Sequence, residues 1–252
     1  MNEMWILLLL IVISALPVFL AFVFSRARKL PPTFLSRAWM PIIPARWFLT
    51  ALAAGVASLP IAALIQGGLP PGGSGGVFPA FYNVFFRIAF VEELSRVIVL
   101  APLFAAIHRR RNPDAALCAA LGLVAGLGFA MLESAFYGLE DVNIALLRAF
   151  TAVPVHGACG IRVGAAVFFF TRRKAEHCAN EQVNYQGKAL FWKALFLFIF
   201  AVFIHGAYNL ITATPAFPSF FAVFVAFTAL CSSLSFLKAS NIKRCGDEGG
   251  NV

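Results

Sequence analysis

Long apolar runs separated by short polar segments dominate the chain, in a pattern that no water-soluble core of this length requires. A helix needs about 20 apolar residues to cross roughly 30 Å of hydrocarbon. On that ruler the pattern predicts seven spans, near residues 4–24, 47–65, 79–107, 115–138, 144–170, 190–211 and 220–237. The expected fold class is an all-α, polytopic transmembrane helix bundle with a polar site in its interior, forming one integral membrane domain over 1–252. The stretch GGLPPGGSGG at 67–76 reads as a flexible outer loop, and 171–189 as a polar inner loop long enough to be partly disordered. Gly122/Gly126 and Gly160/Gly164 each give a small-xxx-small spacing, which lets the fourth and fifth spans approach neighbours closely.

Composition agrees with lipid as the main solvent: 61% of residues are hydrophobic and 12% charged, against about 25% charged in a soluble domain. The net charge of +9 does not imply nucleic acid, because Lys and Arg fall in short clusters between apolar runs. These are Arg26/Arg28/Lys29/Arg37/Arg46, Arg109/Arg110/Arg111, Arg172/Arg173/Lys174/Lys188/Lys193 and Lys238/Lys243/Arg244, while 67–76, 139–143 and 212–219 contain neither residue. The alternation predicts a multi-pass cell-membrane protein with its N-terminus outside and its C-terminus cytoplasmic. The first run has Glu3 before it and basic residues after it, and so reads as a retained anchor rather than a cleaved signal. The five cysteines, without a CxxC spacing, indicate neither a disulfide framework nor a cysteine zinc site.

A small set of ionisable residues lies inside the spans: Arg87, Glu92, Glu93, Arg96, Glu133, Arg148, His156, Arg162 and His205. Each charged side chain at the bilayer centre costs roughly 2.5–3.5 kcal/mol on insertion scales, so the set is tolerable only if its members face one another. Helical spacing supports convergence. Glu92 and Arg96 are four apart with Glu93 three from the same arginine, Phe129 precedes Glu133 by four, His205 precedes Asn209 by four, and Arg148 and His156 are two turns apart on one face of the fifth span. Arg87 and Arg162 read as structural partners or snorkelling side chains. Adjacent carboxylates beside an arginine suit a general base for water, and two histidines and an asparagine can donate to an oxyanion and to a leaving amine. Two imidazoles and a carboxylate are also a common zinc-hydrolase ligand set, although no HExxH is present.

The order of these residues resembles a known family. FVEELSR (90–96) is similar to the EExxR/K motif of the PrsW-type intramembrane proteases, relatives of the type II CAAX prenyl proteases and the bacteriocin-processing proteins. GLGFAMLES (126–134), RAFTAVPVHGA (148–158) and FIHGAYN (203–209) resemble its later motifs in the same order, with Ser134 where PrsW sequences usually carry Asn. The resemblance implies a peptidase that cleaves a membrane-anchored protein substrate, such as an anti-sigma factor. It implies Glu92 as the water-activating carboxylate, surrounded by Glu93, Glu133, His156, His205 and Asn209 and supported by Arg96, Phe129 and Arg148. It leaves the cofactor open. Glutamate acting without metal is expected; if a divalent metal such as zinc is used, Glu92, His156 and His205 are the expected ligands. Counted from the proposed helix ends, Glu133, His205 and Asn209 fall in the outer half of the membrane, so water and substrate are expected from that side. Two rival readings use the same residues: a proton- or ion-coupled transporter, and a haem protein ligated by His156 and His205.

Overall fold

The computed structural model describes residues 10–12, 15–26, 41–73, 76–109, 113–176, 183–214, 218 and 220–249, and among these it contains helices and no strand. The helices are α1 (Leu16–Arg26), α2 (Ala45–Gly68), α3 (Val77–Phe81), α4 (Val91–His108), α5 (Ala115–Glu140), α6 (Val142–Phe150), α7 (Ala152–Glu176), α8 (Val183–Ala213) and α9 (Phe220–Gly249). A π-helical segment, Tyr82–Phe90, joins α3 to α4. Residues 4–9 of the expected first span, and the basic residues Arg28, Lys29, Arg37, Arg110 and Arg111, lie outside the described residues.

Among the described residues, five helices are long and apolar enough to cross a membrane: Ala45–Gly68, Ala115–Glu140, Ala152–Arg172, Gly187–Ala213 and Phe220–Ser240. The expected count of seven is therefore not reproduced. Two of the expected spans are composite. The run 79–107 consists of α3, the π-helical segment and α4, and α4 carries Glu92, Glu93 and Arg96 in its first turns, so its eighteen residues are not a purely apolar rod. The run 144–170 is two helices, α6 and α7, separated at Thr151 (φ −120°, ψ −68°). Thr151 Oγ1 lies 2.9 Å from both the Leu147 carbonyl and the Tyr208 hydroxyl, which tie the break to α8. The bilayer ruler registers hydrophobicity, and a break between two apolar helices leaves hydrophobicity unchanged.

Helices α5 and α7 form the centre, buried along most of their length, and α2, α8 and α9 pack around them. Glycine makes this possible. A Cβ on Gly122 would collide with the Gly160 carbonyl, one on Gly126 with the His156 carbonyl, one on Gly160 with the Gly122 carbonyl, and one on Gly164 with the Cys118 carbonyl. Rising numbers in α5 meet falling numbers in α7, so the pair is antiparallel. The two small-xxx-small spacings thus face each other, backbone against backbone.

The loops are shorter than expected. Gly67 and Gly68 belong to α2, and Gly72 is held at both backbone groups by the Asn83 amide, at 2.9 and 3.4 Å. Tyr82 adds a hydrogen bond from its hydroxyl to the Pro70 carbonyl at 3.3 Å. The Gly/Pro stretch is therefore partly anchored onto the π-helical segment. In the expected inner loop, α7 continues to Glu176 and α8 begins at Val183, leaving only 177–182 outside the described residues. A helix can project past the hydrocarbon without an apolar sequence.

Candidate active site

Four helices deliver the buried ionisable groups to one place. Helix α4 places Glu92 and Glu93 in its first turn and Arg96 one turn later, immediately after the π-helical segment. Helix α5 brings Phe129 and Glu133, α7 brings His156, and α8 brings His205. Close approach at Gly126 sets the α5–α7 distance one helical turn before Phe129, and so brings Glu133 within reach of the imidazole.

The contacts form two chains that meet at Arg96. In the first, Arg96 donates to Glu93 at 2.5 Å, and Glu93 accepts from His205 Nδ1 at 2.8 Å. In the second, Arg96 donates to His156 Nδ1 at 2.7 Å, while His156 Nε2 and Arg148 reach the same Glu133 oxygen, Oε2, at 2.8 and 2.5 Å. Arg96 is fully buried and also covers the Phe129 ring, with its guanidinium carbon 4.4 Å from the centroid. The imidazoles of His156 and His205 meet edge to face, with centroids 4.8 Å apart.

These partners settle the proton positions. A guanidinium only donates, so His156 Nδ1 accepts, and a neutral His156 carries its hydrogen on Nε2 and gives it to Glu133. Glu93 is a carboxylate that accepts, so His205 carries its hydrogen on Nδ1 and presents a lone pair at Nε2. That lone pair faces Glu92 Oε2 at 3.5 Å, and Glu92 Oε2 is buried without a hydrogen-bond partner among the described residues. Two acceptors facing each other in a desolvated site repel unless a hydrogen or a cation lies between them.

Most of the residues singled out in the sequence converge, with three differences. Arg96 pairs with Glu93, and among the described residues no guanidinium is in hydrogen-bond contact with Glu92; both spacings put a carboxylate on the arginine's face, and only the structure distinguishes them. Arg148 and His156 do not share a helix face, yet the break at Thr151 directs both onto Glu133. Asn209, one turn beyond His205, joins none of these contacts. Ser134 Oγ is buried and has no partner. Arg87 and Arg162 have structural partners, the Gln66 carbonyl at 3.2 Å and the Ser232 hydroxyl at 2.7 Å.

Sequence reasoning missed Gln66, whose side-chain amide lies 3.4 Å from Glu92 Oε1. Charge inside an apolar span marks the other residues, and α2 carries no charge beyond Arg46. Its only signal was an amide standing alone near the end of an apolar helix.

The site is nearly closed. Glu133 and Arg148 are each 15% exposed at the side chain, against 8% for Glu92 and 0–2% for Glu93, Arg96, His156 and His205. Access is thus at the α5–α6 end, past the Arg148–Glu133 pair and Tyr137, over whose ring the Arg148 guanidinium lies at 4.1 Å. Arg148→Met should leave the fold intact, because this partly exposed pair contributes about 1 kcal/mol or less, and should reduce turnover by freeing Glu133 from a fixed rotamer. Rates and melting temperatures measured together check this, and a melting loss as large as the rate loss would oppose it.

The donor set fits a divalent metal. One ligand atom from each of Glu92, His156 and His205 lies within 4.8 Å of the other two, and all three residues are buried. Glu92 Oε2 and His205 Nε2 are ready as they stand, with the Glu93 carboxylate orienting His205 from behind as outer-shell carboxylates do. His156 would supply the third ligand nitrogen. A haem does not fit, because imidazoles 4.8 Å apart and edge to face leave no room for a porphyrin between them. Neither a curated protein nor a solved structure matches the chain. The profile of the PrsW family of intramembrane metalloproteases matches residues 43–232, and this multi-pass membrane protein, a peptidase by that relationship, belongs to that family.

Proposed function

We propose that the cluster of Glu92, Glu93, Arg96, Glu133, His156 and His205 is the hydrolytic centre, and that it cuts a membrane-anchored protein of the anti-sigma-factor kind near the membrane surface. The observation that carries this reading is Glu92 Oε2, buried without a hydrogen-bond partner among the described residues and 3.5 Å from the His205 Nε2 lone pair. Family membership supports peptide hydrolysis, and gives no support to a transporter.

Glu92 Oε2 is the acceptor for the water proton as the water oxygen bonds to the peptide carbonyl carbon. The C–N bond breaks as Glu92 returns that proton to the amine nitrogen. Glu133, held at Oε2 by Arg148 and His156, fixes the His156 ring at the mouth of the site. Arg96 and Glu93 do no proton chemistry; they hold both histidines in the required tautomers. Asn209, one turn from His205, lies within the motif without touching the cluster, and its place is beside the substrate. Glu92, His156 and His205 would hold a divalent ion such as zinc, which would polarise the scissile carbonyl and make water more acidic. With the basic segments cytoplasmic and the N-terminus outside, the α5–α6 opening faces outward.

Reconstitution into liposomes with a single-span reporter tests the reading. Fragments identified by mass spectrometry are expected, and an intact reporter accompanied by proton-coupled solute flux would overturn it. For the metal, a chelator should abolish cleavage, and zinc should restore it. Zinc content near one per chain should fall to background in His205→Ala. Full activity after exhaustive chelation would leave the glutamate-only centre standing.

A further inference from the structure

The two oxygens of Glu92 are held differently. Oε1 receives the Gln66 side-chain amide at 3.4 Å, and Oε2 receives nothing and faces His205. The terminal torsion of a glutamate is broad and roughly two-fold, so packing alone does not decide which oxygen points where. A donor on one side does.

Gln66 is itself held in place. Its backbone carbonyl accepts from the Leu69 N–H at 3.3 Å and from the Arg87 guanidinium at 3.2 Å. Arg87 belongs to the π-helical segment that runs directly into α4, so the same stretch of chain that carries Glu92 also fixes the end of α2 that carries Gln66. Extended π-helix is uncommon and is found mostly at functional sites. Here it spaces Arg87 and Glu92 so that one holds the backbone of Gln66 while the other meets its side chain. The rest of the last two turns of α2, Ile61–Ile65 and Gly67–Gly68, offers no other polar side chain.

We propose that Gln66 is a positioning residue for Glu92, which engages Oε1 and thereby presents Oε2 to the reacting water or metal. This rests on the hydrolytic reading of the cluster. A residue that merely tied α2 to α4 would affect folding without affecting turnover, so the measurement that matters is the split between kcat and KM.

In the liposome assay, Gln66→Met, which keeps the length and removes the donor, should lower kcat about tenfold, because Glu92 then loses the contact that fixes which oxygen faces the reacting atoms. KM should stay within about twofold, because Gln66 touches no substrate in this scheme. Gln66→His, which restores an N–H, should recover part of the loss. Wild-type kcat in Gln66→Met overturns the proposal while leaving the protease intact. A second arm needs no activity. Gln66→Glu sets two carboxylates together and should lower the melting temperature, and adding Glu92→Gln, which restores an amide–carboxylate pair in the opposite sense, should raise it again. Absence of that recovery overturns the contact, whatever the wild-type protein does to a reporter.

Discussion

Glu92→Gln should reduce cleavage of a membrane-tethered reporter about a thousandfold or more, within the range associated with a general acid–base group, while the protein still inserts, folds and melts near the wild-type temperature. The second half follows from the contacts. Glu92 has no guanidinium partner, and its one hydrogen bond, to Gln66, is at 3.4 Å. Exchanging a carboxylate for an amide of the same shape therefore alters stability by about 1 kcal/mol or less. Glu93→Gln, one residue along, should behave in the opposite way. Glu93 is fully buried between Arg96 and His205, so removing its charge leaves a buried guanidinium uncompensated, at about 3–5 kcal/mol. That variant should accumulate poorly and melt early. If Glu92→Gln proves unstable and Glu93→Gln proves merely inactive, the roles of the two carboxylates are reversed. Cleavage unaffected by Glu92→Gln would falsify the assignment altogether.

This contrast marks where sequence reasoning reached its limit. That Glu92, Glu93, Arg96, Glu133, His156 and His205 meet was legible, because charges inside apolar helices have to face one another and their helical spacings agree. Which carboxylate takes the arginine was not, since i→i+3 and i→i+4 both put it on the same face. The all-helical class was legible from the run lengths. The division at Thr151 was not: Pro154 in the first turn of α7 is a helix-start signal, but membrane helices also tolerate proline in their interior and both flanks of the break remain apolar. The π-helical segment left no trace either: YNVFFRIAF reads as an ordinary amphipathic turn. Gln66 was overlooked because an amide carries no charge, although it is the nearest side chain to Glu92 outside the motif helices that the contacts identify.

Gly160→Leu should be the most damaging single change away from the ionisable cluster, with little or no folded protein, and Gly160→Ala should lose several kcal/mol. Overpacking an ordinary core costs about 1–3 kcal/mol because side chains can shift. Here the colliding atoms are backbone: a Cβ on Gly160 would fall against the Gly122 carbonyl, with the Gly126 Cα 3.2 Å away. Membrane helices gain nothing from hydrophobic association in lipid, so a lost close approach has no compensating force. The effect should reach the chemistry. His156 is one turn before Gly160 on the same face of α7, and its carbonyl lies against Gly126. Forcing α5 and α7 apart therefore lengthens the His156–Glu133 hydrogen bond before it unfolds anything. In whatever folded fraction Gly160→Ala retains, reporter cleavage well below the melting temperature should be lower than the folded fraction predicts. Gly67→Ala, at a position with nothing within 4 Å of the added carbon, serves as the control and should melt and cleave as the wild type does. A Gly160→Leu protein with normal melting and normal turnover would mean that α5 and α7 do not meet through these glycines, and that the position of His156 is set by something else.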